Sequence, residues 1–144
     1  MDDEARRKCL LDESKIVQDI ISRMANNSFL IKGWAVTLVV ASLLLKGIYY
    51  HYFIAFIPWI IFWIYDAYFL RLEKLYRELF DWLIANRLTS DELFLDVSKK
   101  SVESRFGKKV KSTVKLMFST VLIVFYGFLF AIIVFWILVN PTGG

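Results

Sequence analysis

From Leu116 to Val139 the chain carries no Asp, Glu, Lys or Arg. At about 1.5 Å of rise per helical residue, a run of that length crosses a hydrocarbon core of about 30 Å. Of the 144 residues, 58% are hydrophobic and 17% aromatic. A soluble globule of this size cannot bury so much apolar surface, so the excess faces lipid or partners.

Two further apolar stretches precede that run. One lies between Lys32 and Lys46 and extends backwards through Phe29, Leu30 and Ile31; the other runs from Phe53 to Leu70, interrupted by Asp66. Lysine stems are apolar, so Lys32 and Lys46 can reach toward headgroups from the ends of a short span. The intervening Lys46-Gly47-Ile48-Tyr49-Tyr50-His51-Tyr52 reads as a turn rich in tyrosine, which favours the membrane boundary. The expected architecture is all-α and polytopic, a single membrane domain over 1–144. Its parts are a cytoplasmic helix over 1–28, spans over 29–48 and 53–70 forming a hairpin, a cytoplasmic helix and basic connector over 71–115, and a third span over 116–139.

Basic residues set the orientation. Seventeen of the eighteen Lys and Arg fall before Gly33 or between Arg71 and Lys115, and only Lys46 lies in the hairpin turn. The positive-inside rule therefore puts the N-terminus and the long loop in the cytoplasm and the C-terminus outside. No signal peptide is expected behind Met1-Asp2-Asp3-Glu4, which is acidic where such a segment is basic. Cys9, the one cysteine, fits a reducing compartment.

The cytoplasmic arms carry helical periodicity. Ile16, Val17, Ile20, Ile21 and Met24 recur at helical spacing, and no breaker separates them from the first span. Leu72, Leu75, Tyr76, Leu79 and Leu83 form a second stripe, a packing face or a face for a cytosolic partner, flanked by i,i+4 charge pairs such as Glu73 and Arg77. Thr89 and Glu92 have the spacing of a capping box. From Asp96 to Lys111 the pattern weakens into a connector, and the cations from Lys99 to Lys115 read as a stop-transfer signal and an anionic-lipid contact.

Lys32 and Asp66 are the most informative charges. With the turn near Tyr49, each lies seventeen residues from it, so antiparallel helices bring them to one depth. An unpaired ionisable group inside a span costs about 2.5–3.5 kcal/mol, so a partner is expected. One reading is an ion pair that fixes hairpin register; the other is a charge lining a water-filled path in an oligomer. Asn26, Asn27 and Ser28, at the entrance of the first span, read as helix-breaking or capping residues or as interhelical hydrogen-bonding groups. They are expected to face the region of Arg71.

No catalytic, cofactor or metal site is expected. His51 is the single histidine, with no cysteine near it, and the glycines form no phosphate-binding loop. The aromatic clusters around Trp59, Trp63 and Phe125 read as packing, and Gly127 with Ala131 has the small-xxx-small spacing of close helix contacts. Segregated charge and the lack of a stacking platform argue against nucleic acid as a partner.

The stretches Ser22–Trp34 and Phe62–Glu73, with Met117-Phe118-Ser119 and Phe125-Tyr126-Gly127, resemble a family of small, uncharacterised bacterial three-span membrane proteins. That resemblance implies a membrane location and brings no activity with it. The layout is also similar to SLATT-type effectors of bacterial defence, two spans flanked by cytosolic helices; this implies pore assembly, and the third span departs from it. The expected function is a self-assembling, pore-like or membrane-perturbing homo-oligomer in the lipid bilayer, acting in bacterial antiviral defence. A non-conducting anchor for a cytosolic partner is the alternative.

Overall fold

A computed structural model describes residues 3–45, 51–90 and 95–140. All of its elements are helical: α1 (Asp3–Leu44), α2 (His51–Ile54), α3 (Phe56–Asn86), α4 (Lys99–Phe106), α5 (Thr113–Met117) and α6 (Thr120–Val139). Where the sequence suggests one continuous domain, the chain divides into two compact units. Unit 1 comprises Met1–Asn26 and Phe69–Ser112; unit 2 comprises Asn27–Tyr68 and Thr113–Gly144.

Long periodic segments explain α1 and α3, the one proline of α3, Pro58, falling in its first turn. Asn26, Asn27 and Ser28 do not interrupt α1, which corrects the helix-breaking reading; its backbone stays helical through all three. The second apolar stretch is not one helix. It splits at Ala55 because Pro58 has no N–H to give the carbonyl of Ile54, and its ring crowds that carbonyl. The third stretch is also split: α5 ends at Met117, Ser119 is extended at φ −69° and ψ 148°, and α6 begins at Thr120 rather than at residue 116. Serine is a favoured residue at such a helix start, though here its side chain makes no capping bond.

In unit 1 the buried apolar side chains include Val17 and Ile20 of α1, Leu72, Leu75, Tyr76, Leu79 and Leu83 of α3, and Val102 and Phe106 of α4. The connector expected from Asp96 to Lys111 thus contains a helix, capped where Ser98 accepts from the Ser101 N–H. The Thr89 hydroxyl donates to the Asn86 carbonyl at 3.1 Å, closing α3. The expected capping-box partner of Thr89, Glu92, lies outside the described residues. So do the Lys46–Tyr50 turn and the tail after Asn140.

In unit 2, Val39, Leu43, Ala55 and Ile133 form the central cluster, with Trp59 and Trp136 packed on it. Helix α6 is apolar all round yet buries only the stripe Leu122, Tyr126, Leu129 and Ile133. Two helices, α1 and α6, are long and apolar enough to cross a membrane, and each buries only 22% of its most apolar stretch. Helix α3 is not among them; beginning only at Phe56, it takes in Asp66, Arg71 and Glu73 within the length of a span.

Candidate functional site

Unit 2 holds a buried polar cluster centred on Asp66, whose side chain is 0% exposed. Ser28 and Lys32 are one helical turn apart on α1, so both reach the same carboxylate. The Ser28 hydroxyl donates to Asp66 Oδ1, and Lys32 Nζ lies 2.5 Å from Asp66 Oδ2 and 2.9 Å from Ser28 Oγ. From α6, the Tyr126 hydroxyl donates its one proton toward two acceptors, Asp66 Oδ2 at 3.2 Å and the Phe62 carbonyl at 3.1 Å. One cation and two hydroxyls thus answer one carboxylate. Lys32 also lies 5.9 Å from the Phe125 ring centroid.

Two tryptophans hold α3 against the last two helices of this unit. Trp59 Nε1 donates to the Tyr126 carbonyl at 2.8 Å, and the Trp63 ring stacks on Tyr126 with centroids 6.0 Å apart. Trp63 Nε1 donates to the Met117 carbonyl at 3.0 Å. That carbonyl ends α5, where the break leaves acceptors without a helical donor.

A second buried pair lies in unit 1. Arg87 and Glu13, with side chains 0% and 2% exposed, form a fork: Nε to Oε2 at 2.5 Å and Nη2 to Oε1 at 3.0 Å. Glu13 Oε1 also accepts the Leu95 N–H at 2.7 Å, and Arg87 Nη1 donates to the Ser90 carbonyl at 3.0 Å. Leu95 has φ 54°, in the left-handed region where a side chain costs about 1 kcal/mol or more. Its bond to Glu13 helps to hold it there.

A third, more exposed fork joins Arg71 to Glu103, at 2.6 and 2.9 Å. The Arg71 guanidinium holds the Glu103 carboxyl below the ordinary carboxylate range. Hydrogen bonds from Ser101 and Ser98 do the same for Asp96, just ahead of α4.

Of the residues singled out from sequence, the structure brings Lys32, Asp66 and Ser28 together. Ser28 meets Asp66 rather than the region of Arg71, Asn27 is half-buried, and Asn26 is exposed on α1. The stripe Leu72, Leu75, Tyr76, Leu79 and Leu83 is buried within unit 1, and the Tyr76 hydroxyl donates to the Val97 carbonyl at 3.0 Å. A β-carbon added at Gly127 would meet nothing within 4 Å, so within this chain that glycine admits no close helix approach. Tyr126, Glu13 and Arg87 were not among the residues singled out. No family model matches the chain, and no curated protein or solved structure matches it.

Proposed function

We propose that the chain is a three-span protein of a bacterial inner membrane, which self-assembles there as a membrane-perturbing effector. The observation that carries the reading is the apolar exterior of unit 2. Phe29, Val121 and Leu138 are 73%, 68% and 72% exposed, and Phe53, Ile57 and Ile64 present α2 and α3 outward in the same way. Contiguous apolar surface on this scale needs a nonaqueous surrounding. The exposed side chains of α3 support a third crossing even though it takes in Asp66, Arg71 and Glu73. With seventeen of eighteen cations on one side of the spans, unit 1 and the N-terminus lie in the cytoplasm. In lipid, helix association rests on packing and polar contacts, so copies would join through these same outward faces.

The second reading, a non-conducting anchor, is favoured by the Asp66 cluster. Both intramembrane charges are neutralised within one copy, so a single chain offers no polar path. A cytosolic partner would then dock elsewhere than the buried Leu72–Leu83 stripe.

Topology and flux test these readings. Cys9 should react with a membrane-impermeant maleimide only after spheroplasts are permeabilised, whereas a Cys9→Ser, Gly144→Cys chain should react without permeabilisation. The reverse pattern overturns the orientation. Purified protein in liposomes should release a trapped ion if it perturbs membranes; tight liposomes and a stoichiometric co-purifying protein favour the anchor.

A further inference from the structure

The residues from Lys99 to Lys111 of unit 1 include six cations and one acid, Glu103. The fold sorts these charges. Glu103 is engaged by Arg71. Arg105 lies 4.8 Å from the Trp82 ring centroid, a cation–π contact. Lys108, Lys109 and Lys111 are exposed and follow Gly107 with no acid among them, Lys109 with its Nζ 5.7 Å from the Phe106 ring centroid.

Their backbone is a closed turn. Gly107 N–H bonds to the Glu103 carbonyl at 2.8 Å, and Lys109 N–H to the Phe106 carbonyl at 2.9 Å. A β-carbon at Gly107 would lie 2.4 Å from the Glu103 carbonyl oxygen, so this path needs glycine. Three ammonium groups are thus displayed on an ordered segment, and binding an anionic surface there need not first order a loop.

We propose that the Gly107–Lys111 turn is a binding surface for anionic phospholipid headgroups of the cytoplasmic leaflet. Charge complementarity is the first argument. The second is covalent: Lys111 precedes the charge-free helix Thr120–Val139 by only nine residues in the chain. A lipid partner is favoured over nucleic acid because the aromatic groups nearby are occupied. Phe106 is 1% exposed, and Arg105 lies over Trp82. The inference rests on the membrane reading above.

The test uses the full chain in neutral detergent, titrated with fluorescent phosphatidylglycerol or with phosphatidylcholine of the same acyl chains. Phosphatidylglycerol should bind in preference, and Lys108→Gln, Lys109→Gln, Lys111→Gln together should weaken it on the order of a hundredfold. The corresponding three Lys→Arg changes should retain binding, and unchanged helical circular dichroism excludes misfolding as the cause. Equal binding of the two lipids, or an unaltered triple variant, overturns the proposal. So does displacement of the lipid by millimolar inorganic phosphate, which would mark a free-anion site, or by a DNA oligonucleotide that binds more tightly. Alkaline carbonate extraction is the separate check: release of the chain from cell membranes sinks the membrane reading itself. Carbonate resistance with lipid indifference sinks this inference alone.

Discussion

Asp66 and Glu13 are both buried carboxylates facing a cation, but their neighbours differ in what their loss would remove. Asp66→Ala leaves Lys32 without its counter-ion in an apolar unit, a cost of about 2.5–3.5 kcal/mol if that unit lies in lipid. Tyr126→Phe removes one hydrogen bond, about 0.6 kcal/mol there. Thermal melts in detergent should therefore rank Asp66→Ala well below Tyr126→Phe. Glu13→Leu or Arg87→Met alone strands a buried charge and should cost about 3–5 kcal/mol, whereas the double change should cost less than either. Additive losses in the double variant would contradict a buried pair. Lys32 and Asp66 are legible in the sequence because a charge within an apolar run has few neighbours to hide it. Glu13 and Arg87 sit among many charges and resemble surface residues. Their signal is positional: Glu13 lies four residues before Val17, and Arg87 four after Leu83, each extending a buried stripe.

Among the elements, the long helices are legible because their apolar residues recur every three or four positions over many turns. Helix α4 is not, since only Val102 and Phe106 of its eight residues are buried, too few to show a period. The break at Ser119 is hidden for another reason: hydropathy registers the absence of charge and not the path of the backbone. Helix α4 is fastened to α3 through Glu103 and Arg71, and this link has a pH signature. The guanidinium lowers the Glu103 pKa from its ordinary 4.5, so the link contributes stability above that value. It loses that contribution as pH falls through the lowered value of the folded state. The side chain is about a third exposed, so water screens the pair and the effect stays within about 1 kcal/mol. Melting temperatures of the native chain and Glu103→Gln should differ at pH 7, and the gap should narrow as pH is lowered below 4.5; a constant gap would mean that the ion pair does not fasten α4.

At the level of the whole molecule, the two units differ in what they show to their surroundings. Unit 1 buries Leu72, Leu75, Leu79 and Leu83, each worth about 1.5–3 kcal/mol in water, and keeps most of its charges outside. Unit 2 turns Phe, Ile, Val and Leu outward on all three of its long helical segments. Dilution of the purified chain below the critical micelle concentration should therefore give aggregates on size exclusion, and a clean monomer peak without detergent would refute the membrane reading. The partners of Asp66 also appear in a fixed order during translation. Ser28 and Lys32 are made before it, and Tyr126 is made sixty residues after it. A nascent hairpin emerging from the ribosome thus already carries the lysine and serine that neutralise its carboxylate. The tyrosine arrives last, as a late fastening rather than a condition for the first pairing.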